Sequence, residues 1–206
     1  VSNSVPRVLI LGANGQIARI VERRLLTKTD SELTLYLRRA SRLQQVDPRR
    51  ENVIEADVND YQALVQALAG QDIVYANLSG KLAPLAQNIV RTMTSAGPKR
   101  LLFATGLGLY HEDPDRFGPE VIADTRRAAK IIEDSGLNYT LIRPAYMTTA
   151  NEINNELTAK GTPFKDATVS RMNAADLILQ IIVNPELHSY SSLGIDQAGT
   201  GGERPY

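Results

Sequence analysis

Short uninterrupted apolar runs alternate along this chain with longer stretches in which apolar residues recur every three or four positions. Val8 to Leu11 is a run of the buried parallel-strand type and ends at Gly12. From Gln16 to about Thr27, Ile17, Ala18, Val21 and Leu25 form one helical stripe. Further strands are predicted at Leu33–Leu37, Asn52–Ala56, Ile73–Ala76, Leu101–Thr105, Tyr139–Ile142 (halted by Arg143 and Pro144) and Ser191–Ile195. Between them, Asp60 is placed to cap a helix carrying Leu64, Ala67 and Leu68, stopped at Gly70. Leu82, Leu85, Ala86, Ile89, Val90 and Met93 mark the next helix, ending before Gly97-Pro98. Val121 to Ile132 marks another, closed near Gly136, and Asn173 with Asp176 predicts a capped start for the last. This alternation predicts an α/β fold, a doubly wound parallel sheet with helices on both faces and right-handed crossovers. One domain over 1–206 is the simplest division.

Two stretches lack clear periodicity, Leu107–Pro119 and Met147–Arg171. Each follows a predicted strand, at the sheet edge where ligands bind in doubly wound folds, and long loops there are often functional. Residues 145–172 are therefore read as a substrate-side region, with Lys160–Lys165 as a turn over the pocket and Arg143 helping to define substrate access. Glu152 and Glu156 fall at i, i+4 if their segment is helical and then read as a solvated face.

Composition narrows the chemistry. The chain has 206 residues, with 23 Lys plus Arg balanced by 23 Asp plus Glu, so a dedicated nucleic-acid binder is not expected. It has no cysteine, which excludes disulfides, thiolate nucleophiles and cysteine zinc sites. His111 and His188 are its two histidines, too few for a histidine-rich metal site. No apolar run is long enough to span a membrane, and residues 1–6 lack a signal pattern, so a cytoplasmic protein with no metal is expected.

Gly12-Ala-Asn14-Gly15-Gln16-Ile17-Ala18 stands between the first strand and the first helix. One glycine permits the tight turn, a second admits a pyrophosphate to the backbone, and a small third residue lets helix and strand pack closely. Helix N-terminal amides then favour the anion. After the second strand, NAD sites place an acidic residue for the ribose hydroxyl, whereas arginine accommodates a 2′-phosphate. Here Arg38 and Arg39 follow that strand, Arg42 lies just beyond, and Glu32 falls at the strand's wrong end. NADP(H) is therefore expected in preference to NAD(H).

With these landmarks the chain resembles an atypical short-chain dehydrogenase/reductase, of the NmrA-like or NAD(P)-binding flavin-reductase-like group. The resemblance covers about residues 7–195. It rests on the glycine turn, on Ala56-Asp57-Val58, on Asn77-Leu78-Ser79-Gly80, on Ala104-Thr105-Gly106, and above all on Ser135-Gly-Leu-Asn-Tyr-Thr-Leu-Ile-Arg-Pro144. The resemblance implies a Rossmann sheet, with Asp57 and Val58 at the adenine and Asn77, Leu78 and Ser79 along the adenine ribose. It puts the nicotinamide near Thr105 and Pro144.

The departure is equally informative. Catalytic members of this superfamily usually carry Tyr-x-x-x-Lys on the helix after the fifth strand, and none of the eight tyrosines here has Lys four residues on. Thr125 falls where related proteins often carry that Lys. Hydride transfer is the cofactor's chemistry, and a flavin or quinone asks less of a protein acid than an aldehyde does. Thr105, Tyr110 and His111 are the candidates for proton donation or carbonyl polarisation, with Tyr146 on the next crossover. Two functions follow: an oxidoreductase reducing a small-molecule acceptor (quinone, flavin or enone), or a non-catalytic dinucleotide sensor that binds a protein partner. Either works as a monomer or a homodimer.

Overall fold

The computed structural model describes residues 5–106, 109–110 and 117–201. Its elements run β1 Val8–Leu11, α1 Gln16–Lys28, β2 Leu33–Leu37, β3 Glu51–Glu55, α2 Tyr61–Leu68, β4 Ile73–Ala76, α3 Leu82–Ala96 and β5 Arg100–Ala104. They continue with α4 Pro119–Glu133, β6 Asn138–Pro144, β7 Tyr146–Thr148, β8 Asn155–Ala159, β9 Thr168–Ser170, α5 Arg171–Val183 and β10 Ser191–Gln197. The main sheet has the order β3-β2-β1-β4-β5-β6-β10-β8, parallel except for β8, which runs antiparallel to β10. The chain starts at β1, winds outward to β3, and returns to β4 on the other side of β1. That reversal opens a crevice at the strands' C-terminal ends, between β1 and β4.

Period-two alternation in buried strands builds the two cores. Val8 and Ile10 face one side, with Ile17, Val21 and Leu25 of α1 and Ile178 and Ile182 of α5. Leu9 and Leu11 face the other, with Leu64 of α2, Ile89 and Met93 of α3, and Ile132 of α4. Each such side chain contributes about 1.5–3 kcal/mol on burial. At the opposite rim, Arg50 collects the carbonyls at the end of α1 and beyond: Leu26 at 3.0 Å, Thr29 at 2.8 Å and Ser31 at 2.9 Å. This satisfies acceptors that a helix end leaves open. Glu32 lies at this rim, paired with Arg7 at 2.5 Å and far from the strands' C-terminal ends.

Several boundaries differ from the sequence expectation. β6 continues through Arg143 and Pro144, because Gly194 and Ile195 of β10 supply partners for both. Asn173 lies inside α5, fully buried; the cap is Ser170, whose hydroxyl accepts from the Asn173 amide at 2.9 Å and donates to the Glu152 carbonyl. The aperiodic stretch 147–171 contains β8 and β9 and most of β7. Glu156 is therefore in a strand, and the helical pairing with Glu152 does not exist.

Candidate functional site

The glycine turn begins with Gly12 at φ +78°, where a Cβ would lie 2.1 Å from the Asn77 carbonyl oxygen. Only glycine fits that contact and that backbone. Gly15 closes the turn by donating to the Gly12 carbonyl at 2.9 Å and becomes the N-cap of α1, with no side-chain cap. The amide of Ala18 is taken by Asn77 Oδ1 at 3.0 Å. Those of Gln16 and Ile17 have no acceptor among the described residues, and the first turn carries no acidic side chain. Two helix amides and the dipole's positive end thus face the crevice uncompensated. Asn14 is held by Arg19, whose guanidinium also donates to the Arg42 carbonyl at 3.1 Å, drawing the segment after β2 toward the turn. Arg38, Arg39 and Arg42 are exposed there, and none has an ion-pair partner among the described residues.

Beside this turn, Tyr36 donates to the Asp57 carbonyl at 2.7 Å, and burial with the charges of Asp60 and Asp57 pushes its phenol up to about 12. Asp57 Oδ1 accepts from the Asn59 amide, and Asn88 holds the Val58 carbonyl. Leu78 and Ser79 follow β4, Thr105 follows β5, and Pro144 ends β6. The positions expected to hold cofactor therefore share one rim, the C-terminal ends of β1 to β6. Thr105 is buried, with its hydroxyl at a long 3.5 Å from the Ile142 carbonyl.

Next to them lies a cavity of about 150 Å³ bounded by Ser79, Gly80, Leu82, Gly106, Phe117, Val121 and Thr125, among others. Thr125, which the sequence resemblance aligns with the lysine of related proteins, lines this cavity with Val121 four residues earlier; its hydroxyl donates to the Val121 carbonyl at 2.9 Å. Asp124, between them in the same helix turn, points elsewhere. Its carboxylate accepts from the Leu82 and Ala83 amides at 2.6 and 3.3 Å, closing the N-terminus of α3. Sequence reading missed this residue: the contact spans 42 positions and no local pattern announces it.

Tyr110 is brought to a different place. Its hydroxyl lies 2.8 Å from Glu133 Oε1 at the far end of α4 and 3.1 Å from Ser192 Oγ on β10. Burial, with the Glu133 charge adding to it, raises its phenol. Arg143, also expected at substrate access, is fully buried: its guanidinium packs 4.8 Å from the Tyr110 ring and 5.6 Å from the Phe164 ring, and donates to Ser192 Oγ at 3.1 Å. A charge so enclosed helps to fasten β10 within the sheet, between β6 and the edge strand β8. The Lys160–Lys165 turn packs against that same strand, β10. Lys160 pairs with Glu133 at 2.6 Å, and the Phe164 ring lies against Gly194. Glu156, Asp166 and Asp196 come together nearby; Asp196 Oδ2 accepts from the Lys165 and Asp166 amides, and Lys165 pairs with Glu156 at 3.4 Å. His111 lies outside the described residues. His188 sits beyond α5, and its carbonyl accepts from Thr140, well before the end of β6.

The decisive comparison is with protein families. A family model described as NAD(P)H-binding matches residues 12–185. This chain belongs to that NAD(P)H-binding family. The membership agrees with the atypical short-chain dehydrogenase/reductase resemblance and with the Rossmann architecture. A Rossmann-fold NAD(P)-binding family protein from Shigella flexneri is 42% identical, with 98% of this chain and 99% of that one aligned at a TM-score of 0.88. A Veillonella parvula short-chain dehydrogenase/reductase in complex with NADP is 28% identical, over 97% and 98% of the two chains, at a TM-score of 0.90. Quinone oxidoreductase 2 of Escherichia coli is 28% identical over 141 residues, 66% of this chain and 47% of that protein. The chain thus spans about half of that relative. Among the described residues, no helix of this NAD(P)H-binding protein is long and apolar enough to cross a membrane.

Proposed function

We propose that this chain is an NADP(H)-dependent oxidoreductase that passes hydride to a small acceptor, a quinone, flavin or enone. The observation that carries the reading is the start of α1, uncompensated among the described residues and open at the crevice beside three arginines that have no ion-pair partner there. Gly12, Asn14, Gly15, Gln16 and Ile17 would hold the pyrophosphate, and Arg38 and Arg39 the 2′-phosphate. Asp57 and Val58 would meet the adenine, Asn77, Leu78 and Ser79 the adenine ribose, and Thr105 and Pro144 the nicotinamide end. The Veillonella relative's complex with NADP supports the choice of cofactor. Bound there, NADPH supplies the hydride.

The protein's own work is to orient and to exclude water. Thr105 has a weakly engaged hydroxyl for hydrogen bonding to an acceptor's oxygen. The cavity beside it is mostly apolar and small, with room for one ring or one end of such an acceptor. His111 stays a candidate proton donor on the segment after β5. Tyr110 acts through Glu133 and Ser192 as a positioning residue, anchoring the chain beside Leu109, which lines the cavity. The test is NADPH consumption against a panel of quinones, flavins and enones. Turnover above the protein-free rate is the expected result.

The second reading is a dinucleotide sensor that binds a protein partner. The lack of a Tyr-x-x-x-Lys pair, with Thr125 where the lysine is expected, favours it. NADPH binding with no turnover on the whole panel would select the sensor. No dinucleotide binding would remove both readings.

A further inference from the structure

We infer that Tyr75 is a positioning residue for the dinucleotide site: its buried hydroxyl holds the Asn77 carboxamide so that the amide's NH₂ faces the crevice as a donor to phosphate or ribose oxygens. The inference rests on the cofactor reading above. Tyr75 lies on β4, fully buried, and its O–H donates to Asn77 Oδ1 at 3.0 Å. The same oxygen accepts from the Ala18 amide at 3.0 Å. A main-chain N–H can only donate, so the atom facing Ala18 is the carbonyl oxygen, whichever way the amide is otherwise turned. Two donors fill that oxygen's two lone pairs. The remaining group, Nδ2, makes no hydrogen bond among the described residues.

The glycine turn shows where that group lies. A Cβ on Gly15 would sit 2.8 Å from Asn77 Cγ and Nδ2 and 3.0 Å from Oδ1, so the amide lies face-on to the turn. The amide therefore rests directly against the turn that would receive the pyrophosphate. A terminal amide torsion is broad, and one hydrogen bond leaves it free to swing. The second bond, from Tyr75, fixes the plane. Burial raises the Tyr75 phenol, so it stays a neutral donor at any working pH. Its packing is core packing, but its hydroxyl has one partner among the described residues, and that partner belongs to the site.

The experiment is calorimetric titration of the full chain with NADPH for wild type, Tyr75→Phe, Asn77→Asp and the double variant, with melting temperatures recorded alongside. Tyr75→Phe is expected to weaken binding about five- to tenfold while remaining folded. Asn77→Asp keeps both contacts of the oxygen but loses the donor, and is expected to weaken binding more than about tenfold. The double variant should bind no more weakly than Asn77→Asp alone. That coupling is what a merely structural tyrosine would not produce. Wild-type affinity in Tyr75→Phe, or fully additive losses, overturns the inference while the cofactor reading stands. If Tyr75→Phe does not fold, Asn77→Asp decides, and unchanged NADPH affinity overturns the inference. A wild type that binds neither NADPH nor NADH overturns the cofactor reading and this inference with it.

Discussion

The starts of α1 and α3 open on the same rim of the sheet, each after a strand of the central pair, and they are finished in opposite ways. The α3 amides at Leu82 and Ala83 are closed by Asp124, a carboxylate from α4 that is only 14% exposed. At α1 only the third amide is taken, by the neutral Asn77, and the first two are left open. A helix start closed by a carboxylate has its dipole compensated by the protein, whereas an open one retains its affinity for an outside anion. On the proposed cofactor reading, what marks the anion site is the helix end that the protein leaves unfinished. The glycine spacing alone does not distinguish it, since glycines also simply end strands.

The sharpest way to break the contrast is to deform the α1 turn. Gly12→Ala places a methyl into the Asn77 carbonyl at a positive φ. It is expected to abolish NADPH binding and to lower stability by about 3 kcal/mol or more, read by calorimetry and thermal melting. Removing the outer cations is the next largest change. Arg38→Ala with Arg39→Ala should weaken NADPH binding about 10- to 100-fold and leave NADH binding within about twofold, in the same titration. Opening the closed helix tests the other half of the comparison. Asp124→Ala should cost about 1–2 kcal/mol in chemical denaturation, the loss of a helix cap, with NADPH affinity within about threefold of wild type.

The smallest effect is expected at the far rim, where Glu22 of α1 is buried beside Glu51. Burial first, then the hydrogen bond and charge of Glu51, push the Glu22 carboxyl up from 4.5 to about 8. A folded-state value above the unfolded one stabilises fully in acid and is lost as pH rises through the folded value. Wild type should thus lose stability between about pH 4.5 and 8. Glu22→Gln supplies a permanent donor to Glu51 and should flatten that slope, melting higher at pH 9 by a few degrees, for roughly 1–2 kcal/mol.

Much of the rim was legible because it is local. Val8–Leu11, Gly12, Gly15 and Ile17 are contiguous, and period two giving way to period 3.6 places the turn between strand and helix. Asp60 as the cap of α2 was legible for the same reason; its side chain accepts from the Ala63 amide three residues on. Asp124 was not, because an acid on a helix face reads as solvated until the helix it caps is packed against it. Arg143 and Pro144 together read as the end of the strand. Inside the fold, two aromatic rings and Ser192 accommodate the guanidinium, and β6 runs on. Tyr110 was equally misleading, since proximity to Thr105 in sequence does not place its hydroxyl at the rim; Glu133 and Ser192 draw it away. Residues 147–171 are polar and their strands run only three to five residues, so the edge strand β8 and the β7–β9 pair carry almost no period-two signal.

Gln16→Glu tests the contrast most directly. Gln16 is exposed at the first position of α1, so the new carboxylate meets solvent and the open amides without disturbing the core. Finishing α1 with a negative charge, as Asp124 finishes α3, should leave the melting temperature unchanged or raise it, for about 0.3–1 kcal/mol of dipole compensation. The same charge should weaken NADPH binding at least about tenfold in calorimetric titration, by repelling the pyrophosphate. Stability held or raised while affinity falls is the expected result. Undiminished NADPH affinity in a folded Gln16→Glu protein would contradict it, and would mean that the open start of α1 is not where the anion binds.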